Sequence, residues 1–312
     1  NNFESWPESA TYGYFCGGGT TFADDLDTVD RFDLFTEATS APGNNLPQAT
    51  SQAAMLSSSS YGYLGGGFVP PFNSSNVIRR LDFSSETFSA PSNNLSQARS
   101  WMATVSSNSY GYFGGGYAGS QVTTVDRIDL SSETTSTPGN NLPQANYGLA
   151  AVSTSSYGYF GGGFTQSPTP SQLSVVSRLD FSSETFSLPG NNLPQARAIL
   201  AGSSSNSYGY FGGGYAGSPV NTVDRIDFSN ETTSAPGNNL TQARAYIAAV
   251  SNSYYGYFGS GFSPATASNI VDRINFSNET VSAPGFNLPQ ARLCTASVSG
   301  GASQRIKGSR TY

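Results

Sequence analysis

The sequence contains no histidine, and that bounds its chemistry before any motif is read. Ser-His-Asp and Cys-His catalysis, ordinary zinc sites and His-ligated copper all need imidazole. Carboxylates, arginines, tyrosines and two cysteines, Cys16 and Cys294, remain. A paired-carboxylate glycosidase needs two acidic groups about 5–10 Å apart in one cleft. Acidic residues are plentiful here, but nearly all belong to sets that recur. Glu37, Glu86, Glu133, Glu184, Glu231 and Glu279 occupy one equivalent position, and Arg31, Arg80, Arg127, Arg178, Arg225 and Arg273 another. Asp33, Asp82, Asp129, Asp180 and Asp227 fill a third, with Asn275 in the sixth copy. A second arginine recurs at Arg99, Arg197, Arg244 and Arg292, replaced by Thr50 and Asn146. The two arginine sets account for 10 of the 14 basic residues. A catalytic site needs unlike neighbours, whereas a repeated ring supplies the same ones everywhere. The arginines are therefore expected to pair with carboxylates within or between repeats, in a bidentate geometry that fixes register. A ring of ligand-binding charges is the alternative.

The acidic exception is Asp24-Asp25-Leu26-Asp27. Calcium favours clustered oxygen ligands, but the Gly and distal Glu of an EF-hand loop are missing. The run reads first as a solvated acidic loop, with a calcium site at Asp24, Asp25 and Asp27 as the alternative. No other cofactor is expected. The recurring Gly-Gly-Gly precedes loops and strands, not a helix N-terminus, so a phosphate cradle is not expected either. Asn-X-Ser/Thr triplets at Asn73, Asn94, Asn230, Asn239, Asn275 and Asn278 read as incidental in a chain this rich in Asn, Ser and Thr.

These residues are positioned by one unit written six times. Tyr-Gly-Tyr starts at Tyr12, Tyr61, Tyr110, Tyr157, Tyr208 and Tyr255, with spacings of 49, 49, 47, 51 and 47 residues. A period near fifty marks an array of identical supersecondary units. In the third copy Tyr110 to Phe113 alternates and is β-prone, and Gly114, Gly115 and Gly116 end it. Val125 to Leu130 alternates apolar and charged residues, which predicts a half-buried strand. Glu133 to Ser136 predicts a short strand stopped by Pro138-Gly139, and Asn146 to Val152 a fourth. Nothing has helical periodicity.

Four strands per unit, with Gly-Gly ending one of them, resemble the kelch repeat of β-propellers. The residues that carry the likeness are Gly114-Gly115, Val125 to Asp129, and the arginine after Pro-Gln-Ala, such as Arg197. Kelch units usually carry Trp on the outer strand. Here those positions hold Thr39, Phe88, Thr135, Phe186, Thr233 and Val281, which places the resemblance with a divergent branch. The phrases Tyr-Gly-Tyr-Phe-Gly-Gly-Gly and Val-Asp-Arg-Ile-Asp-Phe-Ser also look like repeat proteins encoded by marine bacteriophages. The expected fold is all-β: one closed six-bladed β-propeller of four-stranded antiparallel blades over residues 1–312. Residues 293–298 are expected to complete the first blade and 299–312 to form a C-terminal tail. Closure would remove exposed sheet edges.

Copies of a unit share their framework, so function is expected where they differ. They differ after the glycines, at 20–28, 68–76, 117–124, 164–175, 215–221 and 262–269. In an antiparallel blade these loops emerge on the same face as the Pro-Gly-Asn-Asn-Leu-Pro connections. That face would carry Phe68, Tyr117, Phe164, Tyr215 and Phe262 beside amides such as Asn141, Asn192 and Asn239. Aromatics for stacking and amides for hydrogen bonding suit sugar hydroxyls or a protein partner. The alternative is that each aromatic packs under its own loop. Copies three and five are nearly identical in this loop, and copies two and four carry Pro-rich ones.

Register brings the cysteines together. With a four-residue turn at 106–109, Val105 faces Tyr110 and Trp101 faces Gly114. Cys294 and Cys16 hold the equivalent places, so a disulfide locking the ring is expected, in keeping with a protein that works outside a reducing cytosol.

The net charge of −6, with Lys307 the only lysine, disfavours nucleic acid, which needs a basic patch. No run of about 18 apolar residues suggests membrane insertion. The expected function is a non-catalytic binding or structural module, a phage virion appendage or fibre-associated protein contacting the host surface. A secreted bacterial lectin or adhesin is the alternative, and a sugar-processing enzyme the third. The expected partner is a host-surface glycan or a virion protein, with a homo-oligomer left open, and the expected location is extracellular or on the virion.

Overall fold

Each copy folds into its own small sheet because its glycines and Ser/Thr/Asn-rich turns break the chain every few residues, between alternating strands. The computed structural model describes residues 10–71, 73–91, 93–166 and 169–302, with backbone alone at 301 and 302. In the third copy the strands are Ala103–Ser106, Tyr110–Gly114, Val125–Asp129 and Thr135–Ser136, antiparallel and hydrogen-bonded in that order. The described residues form six such sheets, and no helix occurs among them. Small hairpins, Phe68–Val69 with Asn73–Ser74 and Phe164–Thr165 with Ser171–Gln172, decorate the loops of the second and fourth copies. The innermost strand of each sheet lies against those of its two neighbours in an unbroken circuit, last to first included. The chain is a six-bladed β-propeller.

The first blade is assembled from both ends of the chain: Ala296–Ala302, Ala10–Cys16, Val29–Asp33 and Thr39–Ser40. The closing strand therefore starts three residues later than the expected 293–298 and takes in 299–302 from the expected tail. Residues 303–312 lie outside the described residues.

Apolar clusters sit between blades, each drawing on two neighbours. One joins Leu56, Tyr63 and Ile78 of the second blade to Phe113 and Ile128 of the third. The phenylalanine of each second strand packs on the glycine that ends the previous blade's second strand. A Cβ at Gly114 would stand 2.8 Å from the Phe160 ring, and one at Gly65 2.6 Å from that of Phe113. Burying one such ring contributes about 1.5–3 kcal/mol. Only the first-to-second junction departs from this rule. Cys16 stands where the others have glycine, Leu64 where the others have phenylalanine, and both are buried in one cluster.

That contact, not a disulfide, is the role of Cys16. Both cysteines are free and buried. Cys16 opposes Ala296, and Cys294 precedes the strand at a φ of 58°. The expected register was two residues out, because Val105 opposes Tyr112 and not Tyr110. The turn is tighter than four residues. Ser107 donates its N–H to the Tyr110 carbonyl, and its hydroxyl accepts from the N–H groups of Ser109 and Tyr110. Only Asn108 and Ser109 remain at the tip, so Trp101 and Cys294 are carried off the ladder. Burial pushes the Cys16 thiol up to about 12.

Candidate binding face

One face carries the loops between second and third strands and the connections to the next blade. Its five sequence-predicted aromatics are half-buried: Phe68, Tyr117, Phe164, Tyr215 and Phe262. Each exchanges two backbone hydrogen bonds with the lead-in to its own inner strand, at Ser51, Ser100, Tyr147, Ala198 and Ala245 respectively. Their backbones are thus anchored. Tyr117 and Phe164 both stand edge-on to Tyr147, with ring centroids 5.5 Å away. Phe262 meets Phe22 at 5.2 Å and Tyr246 at 6.4 Å. No ring contact joins Phe68 or Tyr215 to these groups among the described residues.

The centre of this face holds a feature that the sequence reading missed. Gln52, Trp101, Gly148, Ile199, Tyr246 and Cys294 are equivalent, each two residues past the arginine position, and all have a left-handed φ of 55–64°. Each donates its N–H to the carbonyl of its equivalent in the preceding blade, at 2.6–3.1 Å, and Gln52 donates to Cys294 to close the circle. The belt is made by backbone alone, which leaves the six residue types free to differ, and they do. Trp101 and Tyr246 come from opposite blades and meet edge-on at 5.4 Å across the axis. Phe22, half exposed at 50%, lies 4.9 Å from Tyr246. Burial pushes the Tyr246 hydroxyl up to about 12. The sequence signal was present: this position takes a different residue in every copy, while two residues later every copy has alanine.

The predicted amides are more committed than expected. The Oδ1 atoms of Asn141, Asn192 and Asn239 accept the N–H groups of Val125, Val176 and Val223, at 3.2, 3.4 and 3.2 Å, and so fix the start of each third strand. The acidic run does not converge. Asp24 accepts from the hydroxyls and N–H groups of Thr20 and Thr21, which hold its carboxyl down at about 2 despite some burial. Asp27 accepts from Asn45. Among the described residues, no three acidic, Cys or His side chains come together to hold a metal ion, Asp24, Asp25 and Asp27 included.

The repeated charges build the junctions between blades. Arg31 pairs with Glu86, Arg80 with Glu133, Arg127 with Glu184, Arg178 with Glu231, Arg225 with Glu279 and Arg273 with Glu37, at 2.6–3.0 Å. Each arginine reaches the next blade, and the last reaches the first. Each guanidinium also lies over the first tyrosine of its own Tyr-Gly-Tyr, 4.5–4.9 Å from the ring centroid. The second tyrosine donates its hydroxyl to the same glutamate, as Tyr112 does to Glu184 at 2.9 Å. All six glutamates have a φ of 54–60°, a conformation that costs a side chain about 1–2 kcal/mol. The third repeated set caps turns: Asp129 accepts from the Ser131 hydroxyl and from the N–H groups of Ser132 and Ser131, and its carboxyl falls to about 2.

The second arginine set is fully buried. Arg197 pairs with Asp224 and Arg244 with Asp272, both at 2.6 Å, and Arg99 pairs with Asp126 and Arg292 with Asp30. These partners were not singled out from sequence. They could have been, because the two residues change together: Thr50 with Arg79 in the second blade, Asn146 with Ser177 in the fourth.

On the opposite face, a hollow of about 1150 Å³ opens among the turns, lined by Ser57, Ser106, Ser153, Tyr61, Tyr110 and Asp129 among others. The inner-strand serines Ser57, Ser106, Ser153, Ser204, Ser251 and Ser299 all oppose the glycine of a Tyr-Gly-Tyr and form a ring of hydroxyl-bearing residues. No helix among the described residues is long and apolar enough to cross a membrane.

No protein-family model matches the sequence, and no curated protein matches it.

Proposed function

We propose that this propeller is a non-catalytic recognition module of a divergent kelch-like type, carried on a phage virion appendage or fibre and contacting the host surface through its variable-loop face. One observation carries the reading. Six equivalent backbone positions at the centre of that face bear six different residues, five side chains and one glycine, in a molecule whose framework otherwise repeats. Two of them, Trp101 and Tyr246, join Phe22 and Phe262 in an aromatic cluster whose Phe22 edge faces solvent. The exposed Phe22 ring suits the apolar face of a surface glycan. The repeated arginines and glutamates are committed to holding blades together, which argues against their serving as an acid–base pair. The phage assignment rests on the repeat phrasing.

The test is binding of the purified protein to an array of bacterial surface glycans, with released reducing ends measured in parallel. Phe22→Ala is expected to weaken binding at least tenfold with the circular dichroism spectrum unchanged, and Asn108→Ala on the opposite face to leave it intact. Turnover of a bound glycan, or loss of binding with Asn108→Ala alone, overturns the reading. Immunogold labelling of purified virions separates an appendage from a secreted lectin or adhesin.

A further inference from the structure

The loop that presents Phe22 also carries negative charge. Gly19 exchanges two backbone hydrogen bonds with Leu293, at 3.0 Å, and Leu26 donates its N–H to the Gly18 carbonyl at 2.7 Å. Residues 20–25 are thereby held as a tight loop beside Cys294, a member of the central belt. Phe22 stands half exposed against the Tyr246 and Phe262 rings. Asp24 and Asp25 follow, both half-buried. Burial opposes the Asp24 charge, but the hydroxyls and N–H groups of Thr20 and Thr21 hold its carboxyl down at about 2 and keep it ionised. The Asp25 carboxylate meets no hydrogen-bond donor among the described residues. Burial pushes the Cys294 thiol well up, and the Asp25 charge adds to it, which puts that carboxylate within electrostatic reach of the belt.

No accessible cation among the described residues answers these carboxylates. Ten arginines are engaged in ion pairs and Arg79 is buried. The other three basic residues, Arg305, Lys307 and Arg310, lie outside the described residues. A ring draws a cation through its quadrupole, and a carboxylate draws it through its charge. A carboxylate, phosphate or sulfate group on a ligand would be repelled at the same place. We propose, resting on the recognition reading above, that the ligand of this face is a glycan bearing a free amino group, with its ammonium beside Phe22 and Asp25. Glycans made acidic by uronic acid, phosphate or sulfate are excluded by the same charges.

Two glucosamine oligosaccharides of equal length serve as probes, one with every amine free and one with every amine N-acetylated. Their dissociation constants are measured by calorimetry at mildly acidic pH and low salt. The free-amine form is expected to bind the unaltered protein about fivefold more tightly or better. That ratio should shrink as sodium chloride is raised to about 0.5 M, because salt screens exposed charges. Asp25→Asn is expected to bring the two forms within about twofold of each other. Equal affinities, tighter binding of the acetylated form, a ratio indifferent to salt, a preference undiminished in Asp25→Asn, or binding of neither probe overturns the proposal. In that event Phe22→Ala separates the two readings. Weakened binding of the glycans found on the array leaves recognition by this face standing, and unchanged binding removes both.

Discussion

The junction between the first and second blades makes a quantitative prediction about compensation. At the five ordinary junctions, a Cβ on the strand-ending glycine would stand 2.6–2.9 Å from the next blade's phenylalanine ring, closer than real Cβ atoms come. Leu64→Phe alone should therefore drive a ring into Cys16. Such overpacking costs about 1–3 kcal/mol. Cys16→Gly alone deletes two buried heavy atoms opposite a leucine too short to fill the gap. At about 0.8 kcal/mol per buried methylene-sized group, plus about 0.5–1 kcal/mol for glycine in a strand, that is about 2 kcal/mol. The double variant C16G/L64F reproduces the junction found at the other five sites. It should lie within about 1 kcal/mol of wild type, a coupling of about 2–3 kcal/mol between neighbours. Urea denaturation under reducing conditions measures it, provided the denaturant slope is unchanged across the four proteins. If the double variant loses the sum of the two single losses, the pairing of Cys16 with Leu64 is coincidence.

Asp126→Ala strands a fully buried guanidinium and should cost about 3–5 kcal/mol; R99N/D126S, the fourth blade's combination, should recover most of this, and no recovery refutes the pairing. Glu133→Gly should be more stable than Glu133→Ala by about 1 kcal/mol, since glycine adopts a φ of 58° without strain; the reverse order sinks the argument. The Asp129 carboxyl is held at about 2 in the fold, against about 3.9 unfolded. Its stabilisation is full above the unfolded value and fades as pH falls through 2; Asp129→Asn, the residue found naturally at Asn275, should lose less stability between pH 5 and pH 2.5 than wild type, and equal losses in thermal scans count against the cap. Alkylation of the native protein followed by intact-mass measurement should label neither cysteine, with two thiols appearing only after unfolding; one disulfide, or a reductant-sensitive melting point, contradicts the buried-thiol assignment.

The period and the strand alternation were legible because glycines and apolar spacing report local structure directly. The glutamate–arginine ring was anticipated in kind, since charges repeated in a scarcely charged chain have few other uses. Register was not legible. It depended on the Ser107 hydroxyl bracing a two-residue tip, a side-chain effect that leaves no mark on the hydrophobic pattern. The partner of Arg99 was missed for another reason. Asp126 lies 27 residues away across a variable loop, and it sits beside the more conspicuous Arg127, which drew the charge argument outward. That Asn141 Oδ1 accepts at the start of a strand was not legible either, because an exposed amide looks the same with or without that bond.

The central belt gives the functional reading its physical weight. A left-handed backbone is strained for any residue with a Cβ, by about 1–2 kcal/mol, and least for glycine. Gly148 shows that glycine satisfies the belt, since its N–H and carbonyl bond as the others do. Five of the six positions nevertheless keep Gln52, Trp101, Ile199, Tyr246 and Cys294. Ile199 is β-branched, the type that tolerates this conformation least. The glutamates accept the same strain and recover it in an ion pair and a tyrosine hydrogen bond, repeated six times. The belt residues have no such common contact, and no two of them are alike. Cys294 is buried, but at the half-buried Gln52, Trp101, Ile199 and Tyr246 strain that persists without a shared structural return points toward what each side chain presents at the surface, and that surface is the variable-loop face.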